Sequence, residues 1–91
     1  MAVTLRLSQV HARHADGRTR LQLEASTVRA LVENLEAAYP ALAGKLSDDA
    51  GRLRRGLSLF VNDRYINSPP EADVELEDGD EVFIVPYIAG G

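Results

Sequence analysis

Cysteine is absent from this sequence of 91 residues. Its absence excludes disulfide scaffolds, thiolate zinc sites, thiol nucleophiles and persulfide carriers, and it is consistent with a reducing compartment. No apolar run approaches the ~20 residues that a membrane-spanning helix needs. The N-terminal stretch MAVTLRLSQV alternates instead of forming the apolar core of a secretory signal. We therefore expect a cytoplasmic protein without a membrane partner.

Basic residues are too few and too scattered for a nucleic-acid-binding protein. The net charge is -4, whereas phosphate binding needs clustered lysine and arginine. The only basic cluster is Arg52, Arg54 and Arg55, and no aromatic residues alternate with it to stack bases. We expect a solvated loop there and no nucleic-acid partner. His11 and His14 fall in what we expect to be an exposed loop, so they predict no metal site.

The shortness of the chain limits what it can do by itself. A sequence of this length makes a single domain with one core of modest size, and it leaves no room for a deep pocket between domains. No catalytic arrangement of serine, histidine and aspartate can be assembled from it. We therefore predict no catalytic residue, no metal site and no bound cofactor.

Alternation of apolar and polar residues predicts the strands of a sheet. Residues 3–9 and 18–24 alternate on either side of a turn at Asp16-Gly17, which predicts an N-terminal hairpin. Residues 57–62 predict a further strand with a short partner after it. Residues 81–86 predict the last strand.

One well-defined helix is predicted between the hairpin and the next strand. Ser26 or Thr27 can cap it, and Pro40 follows its end. Its apolar residues recur at helical spacing, and they are Val28, Leu31, Val32, Leu35 and Tyr39. The connection over residues 41–55 is expected to be partly helical, with inward leucines at Leu42, Leu46 and Leu53.

The element order is that of the β-grasp arrangement, an α+β fold. We predict a mixed sheet of four to five strands with one main helix packed on one face. By analogy with the fold, the first and last strands are expected to lie parallel in the centre. Residues 1–86 form the predicted domain, and residues 87–91 form a flexible C-terminal tail that ends in Gly-Gly.

A single helix covers only one face of the sheet, so the other face is expected to meet solvent. Alternation directs Phe60, Phe83 and Val85 to this open face. If their strands are neighbours, these residues form an exposed apolar patch, which usually marks a partner site. In the alternative interpretation the two rings only cover each other, or the 41–55 connection folds over them.

The Gly-Gly ending carries the chemical hypothesis. Gly90 and Gly91 lack Cβ atoms, so the tip can enter a narrow channel in another protein, and Ile88 and Ala89 extend it. The carboxylate of Gly91 is a suitable nucleophile for the α-phosphate of ATP, and a persulfide or an amine can attack the resulting acyl adenylate. A frayed terminus without a role is the alternative.

Three stretches of the sequence resemble the ubiquitin-like sulfur carrier proteins. They are STVRALVENLEAAYP, LFVND and LEDGDEVFIVPYIAGG, of which the last is the most specific. This family includes the small subunit of molybdopterin synthase, the thiamin sulfur carrier and the carrier of a thiocarboxylate-dependent route to cysteine. Tyr87 stands where the generic ending has a second proline, and the long 41–55 connection is most similar to the cysteine-pathway carrier.

The resemblance implies a protein co-substrate, monomeric when alone, and not an enzyme. An E1-like adenylyltransferase and sulfurtransferase would adenylate Gly91 with ATP and magnesium, and a sulfur donor would convert the adenylate to a thiocarboxylate. A sulfur-accepting synthase, such as a PLP-dependent cysteine synthase, would receive the sulfur. Phe60, Phe83, Val85 and Tyr87 would bind these partners. The alternatives are the molybdopterin synthase small subunit, a modifier joined to lysines through Gly91, and a β-grasp interaction module with an idle tail.

Overall fold

The computed structural model describes residues 1–48, 53–66 and 74–86, and within these ranges the strands form one five-stranded sheet. The elements in chain order are β1 Ala2–Leu7, α1 Gln9–Ala12, β2 Arg20–Glu24, α2 Val28–Ala38, a 3-10 turn Pro40–Leu42, β3 Leu57–Val61, β4 Arg64–Ile66 and β5 Glu81–Pro86. The order across the sheet is β2-β1-β5-β3-β4. β1 and β5 are parallel, and the other neighbours are antiparallel. The predicted β-grasp arrangement is confirmed.

The N-terminal hairpin pairs β1 with β2 as predicted, but α1 lies between the two strands. Its inward residues are His11 and Ala12, and Ala15 follows at helical spacing; all three are buried. The turn comes after the helix, at Asp16 and Gly17, with φ of 57° and 78°. Aspartate and glycine adopt this left-handed region more readily than most residues do. The turn predicted at Asp16-Gly17 is therefore confirmed.

Thr27, and not Ser26, caps α2. The Thr27 hydroxyl oxygen accepts the N–H of Ala30 at 3.1 Å, whereas the Ser26 carbonyl accepts the N–H of Leu76 at 2.9 Å. The buried face of α2 consists of the predicted residues Val28, Leu31, Val32 and Leu35. Pro40 begins the 3-10 turn that follows. In the described ranges, no helix is long and apolar enough to cross a membrane.

The core fills the space between α2 and one face of the sheet. Its largest fully buried side chains come from both layers and include Leu5, Leu31, Leu35, Leu59 and Ile84. Leu42 and Leu46 are fully buried as well, and the half-buried Leu53 packs against the same core. The inward leucines of the connection are therefore confirmed. The predicted partial helicity appears, among the described residues of the connection, only as the 3-10 turn.

A hydrogen-bonded corner fixes how β3, β4 and β5 meet. Asn62 and Asp63 form the β3–β4 turn with φ of 50° and 71°, a conformation typical of tight hairpins. The Asn62 side chain donates to Asp80 Oδ1 at 2.7 Å and accepts the N–H of Glu81 at 2.9 Å. The N–H of Glu77 donates to the other Asp80 oxygen. This bond and the bond from the Asn62 side chain lower the pKa of Asp80. The corner ties the end of β3 to the start of β5, which favours the observed register.

Candidate functional site

One row of side chains crosses the open face of the sheet from edge to edge. Its members stand opposite one another in successive strand pairs, and in the order of the strands they are Arg20, Arg6, Phe83, Phe60 and Tyr65. The row exists because the register of four strand pairs aligns five outward positions, and cross-strand neighbours on one face contact each other. Phe60 and Phe83 are thus brought together as predicted.

Phe83, Phe60 and Tyr65 form the aromatic part of this row, here called the aromatic patch. The ring centroids of Phe60 and Phe83 are 6.4 Å apart, and those of Phe60 and Tyr65 are 5.4 Å apart. These separations are typical of favourable tilted ring pairs. The two phenylalanines contact each other but remain half-buried, and Tyr65 is 53% exposed. The rings therefore do not cover one another completely, and apolar surface remains open to solvent.

Val85 joins the aromatic patch at the end of β5. It lies opposite Ser58 of β3 and two positions beyond Phe83, so it shares the open face, and it is half-buried. The described part of the 41–55 connection sends its leucines into the core on the other side of the sheet. Among the described residues, that connection therefore does not supply a cover for the aromatic patch.

The other half of the row is charged but internally compensated. Glu81 forms ion pairs with both arginines, at 3.6 Å from Arg6 Nη1 and 3.0 Å from Arg20 Nη2, and the Arg20 contact is also a hydrogen bond. The Arg6 guanidinium also lies 4.9 Å from the centroid of the Phe83 ring, an arrangement that attracts the cation to the ring face. Exposed ion pairs contribute little to stability. Their consequence here is a polar border beside the apolar surface.

A shallow depression marks the junction of the two halves. It has a volume of about 340 Å³ and is lined by Arg6, Phe60, Asp63, Glu81 and Phe83. Apolar walls with a few charged groups at the margin are typical of a protein-binding surface. The sequence interpretation missed Arg6 and Tyr65. Alternation could have placed Arg6 outward, whereas the contact of Tyr65 with Phe60 depends on a register that no local pattern reveals.

The base of the predicted tail is held in the middle of the sheet. β5 lies between β1 and β3, and its last two residues, Val85 and Pro86, pair with Ser58 and Leu57 of β3. The next positions of the sequence are those of the tail prediction. The residues of that prediction, Tyr87, Ile88, Ala89, Gly90 and Gly91, lie outside the described residues. Phe83 of the aromatic patch and Pro86, the last described residue, therefore lie on the same strand.

The prediction that His11 lies in an exposed loop is wrong. His11 is 7% exposed because α1 turns this residue and Ala12 inward, and its buried Nδ1 atom has no hydrogen-bond partner among the described residues. Burial lowers the pKa of His11, and the nearby charges of His14 and Lys45 lower it further. No group of three or more histidine, aspartate or glutamate side chains in the described ranges could hold a metal ion. The helical spacing of inward residues at positions 11, 12 and 15 was the available signal.

The buried His11 predicts a stability that decreases on acidification. Unfolded chains take up the proton near the ordinary pKa of 6.5, whereas the folded state resists protonation. The free energy of unfolding should therefore fall as the pH drops below 6.5, and it should level off below the folded-state pKa. Denaturant midpoints of wild type and His11→Leu between about pH 7 and about pH 5 measure this. His14→Gln is the control and should keep most of the slope, because burial is the largest cause of the lowered pKa of His11. A slope unchanged in His11→Leu would assign the effect to another group.

Comparisons with known proteins agree with the observed fold and with the interpretation of the Gly-Gly ending. The sulfur carrier protein CysO of Mycobacterium tuberculosis is 30% identical over 93 residues, with all of both chains covered. Small archaeal modifier protein 3 of Haloferax volcanii is 35% identical over 66 residues, which are 72% of this chain and 71% of that protein. A chain in the crystal structure of the Amycolatopsis orientalis BexX/CysO complex matches with a TM-score of 0.86 and 25% identity, covering 98% of this chain and 99% of that one.

These relatives are carriers and modifiers and are not named as catalysts. The match to CysO covers the whole chain, and therefore includes the sheet, α2 and the tail segment. The ThiS family profile matches residues 10–91, a span that includes both terminal glycines. The chain therefore belongs to the ThiS family.

Proposed function

We propose that this chain is a sulfur carrier that holds sulfur as a thiocarboxylate on Gly91 and donates it to a biosynthetic enzyme, in the first place one of cysteine synthesis. The observation that carries the proposal is the alignment with the sulfur carrier CysO over all of both chains. The family match supports it because it includes Gly90 and Gly91. The chain itself is the substrate of its activating enzyme and performs no catalysis.

The chemistry needs only the terminal carboxylate from this chain. An E1-like enzyme with ATP and magnesium lets a Gly91 carboxylate oxygen attack the α-phosphate, and pyrophosphate leaves. A hydrosulfide that attacks the acyl carbon displaces AMP and gives the thiocarboxylate directly. A persulfide gives an acyl disulfide instead, and a thiol must then cleave its S–S bond. The absence of cysteine fits this route, because no side chain of the carrier competes for the sulfur.

The open face would bind the partner proteins of this cycle. Phe60, Phe83 and Val85 present apolar surface near the C-terminal end of β5, and we assign Tyr87 to the same contact. Tyr65 joins them through its contact with Phe60. A partner seated there would contact the same strand that ends at Pro86, the residue before the tail segment. The BexX/CysO complex supports the proposal because it pairs a relative with a second protein.

A second candidate function is conjugation to other proteins. The relationship to small archaeal modifier protein 3 favours it. The same acyl adenylate would serve, with a lysine amine in place of the sulfur nucleophile, and Gly91 would end in an isopeptide bond. Antibodies against the chain would then detect a ladder of larger species in cell extracts. A molybdopterin synthase would use the carrier chemistry without such conjugates.

Intact-mass measurement tests the carrier function. The chain is incubated with the activating enzyme from its own cell, ATP, magnesium and a sulfide donor. We expect a species in which one oxygen is replaced by sulfur, and fragmentation should place the change at Gly91. Omission of ATP is the control and should leave the mass unchanged. Complete conversion to protein conjugates, or an unchanged mass although the enzyme forms the adenylate, would contradict the proposal.

A further inference from the structure

We infer that the outer edge of β2, with the groove between β2 and the C-terminal end of α2, is a docking site for an extended segment of another protein. The segment would add to the sheet as a further strand, with alternating apolar side chains in the groove and acidic residues at one end. The site lies at the edge of the sheet and is separate from the aromatic patch. It does not depend on the sulfur chemistry proposed above.

The hydrogen-bond pattern shows which groups of β2 face away from the sheet. The N–H of Ala25 donates to the carbonyl of Met1 at 2.8 Å, and the N–H of Leu7 donates to the carbonyl of Thr19 at 2.9 Å. These bonds flank the β1–β2 ladder, in which bonded and non-bonded pairs alternate. The odd-numbered residues of β2 therefore bond to β1, and the even-numbered residues direct their N–H and C=O groups outward.

Two outward residues are available for pairing. The Glu24 carbonyl already accepts a hydrogen bond from the side-chain amide of Asn34 at 2.6 Å. This bond agrees with the outward direction of the carbonyl and makes it unavailable to an added strand. Within the described ranges, the outward N–H and C=O groups of Arg20 and Gln22 have no backbone partner, because β2 is the outermost strand. Such an edge is a template for an added strand.

A groove runs beside this edge on the helix side of the sheet. It has a volume of about 510 Å³, and its apolar wall consists of Leu23, Ala38 and Tyr39. Leu23 and Tyr39 are half-buried, and Ala38 is exposed. Every second side chain of an added strand would point to this wall. The groove therefore favours valine-like residues at alternating positions of the bound segment.

Charge indicates the rest of the partner's chemistry. Arg18 lines one end of the groove and is exposed, and its guanidinium has no ion pair within the described ranges. Arg20 is at the same end but is bonded to Glu81. Glu24 stands at the other end of the strand. Acidic residues of the bound segment are therefore favoured beside Arg18 and disfavoured beside Glu24, although the whole chain is acidic.

A second copy of this chain fits the site less well than a peptide does. Two β2 edges could pair through Gln22, but the apolar residues of each strand, Leu21 and Leu23, already pack in or against their own core. They cannot fill the neighbour's groove. Edge pairing of five-residue strands would also bury far less than the ~1,200–2,000 Å² of a stable interface.

The test uses synthetic peptides and a variant that blocks only the edge. The probe is a fluorescent peptide in which valine alternates with threonine and a run of aspartates follows; a second peptide carries the aspartates first, for the opposite strand direction. Gln22→Pro removes an outward N–H and no bond to β1, so an edge strand can tolerate it. Gln22→Thr keeps the N–H and is the matched control. Far-UV circular dichroism checks that both variants fold.

We expect wild type and Gln22→Thr to bind one of the two peptides, and Gln22→Pro to bind it at least tenfold more weakly. Arg18→Glu should weaken binding of the acidic peptide and strengthen binding of a version that ends in lysines. Arg13→Glu, which lies outside the groove, should change neither affinity. Failure of wild type to bind either peptide, or equal binding by Gln22→Pro, would overturn the proposal. Self-association that Gln22→Pro abolishes, without peptide binding, would assign the edge to a second copy instead. Sulfur loading should be unchanged in Gln22→Pro, so the two proposals fail separately.

Discussion

Deletion of Gly91 is expected to reduce thiocarboxylate formation by at least about a hundredfold while the domain stays folded. The shortened chain still ends in a carboxylate, but that group lies one residue, up to about 3.5 Å, nearer the domain. Because reacting atoms must approach to about 3–3.5 Å, and an error of about 1 Å can cost a hundredfold in rate, loading should fall by at least about a hundredfold. Intact-mass measurement after incubation with activating enzyme, ATP and sulfide gives the result.

Two further variants distinguish the effect of tail length from the need for a free carboxylate at position 91. Gly91→Ala keeps the carboxylate at the same distance and adds a Cβ, so we expect slower but measurable loading. A serine added after Gly91 converts the reacting carboxylate to an amide, so we expect no sulfur on Gly91. The described core ends at Ile84, so all three variants should melt at the wild-type temperature. Normal loading of the deleted or the extended chain would exclude the terminal acyl group as the place where sulfur is held.

The sequence predicted those elements whose formation depends on local signals. The helix α2 has a hydroxyl cap at Thr27, an apolar stripe and a proline after its end, and each signal is read within a few residues. The last strand, 81–86, was predicted with its observed bounds because it follows the Asp78-Gly79 turn and is a short run of β-branched and aromatic residues. The parallel pairing of β1 with β5 was predicted by analogy with the β-grasp fold, since the partners are far apart in the sequence.

What the sequence could not predict depends on contacts between distant segments. His11 is polar and follows a strand, so a loop was the natural expectation; its burial results from how α1 packs against the core. Tyr65 belongs to a strand of only three residues, and only the register with β3 places it on Phe60. The groove beside β2 depends on where α2 ends over the sheet. The partner contacts proposed for Phe60, Phe83 and Val85 stay a prediction.

Phe83→Ala is expected to weaken binding to the activating enzyme far more than it weakens the fold. The Phe83 side chain is half-buried at the centre of the row, between Phe60 and Arg6, which is where aromatic residues contribute most to an interface. Loss of a central aromatic residue typically costs about 2–4 kcal/mol of binding free energy, or about 30-fold to 1,000-fold in affinity. The KM for the carrier should rise accordingly.

The kinetic pattern distinguishes docking from chemistry. Phe83 lies on the sheet and leaves the Gly91 carboxylate unaltered, so kcat should change little while KM rises. Phe83→Leu keeps much of the apolar area and should fall between wild type and Phe83→Ala. Thr4→Ala changes the same open face outside the aromatic patch, so it is the matched control and should leave KM unaffected. Equal KM values for Phe83→Ala and Thr4→Ala would mean that the aromatic patch does not bind the activating enzyme, because an interface centred on these rings cannot lose one without losing affinity.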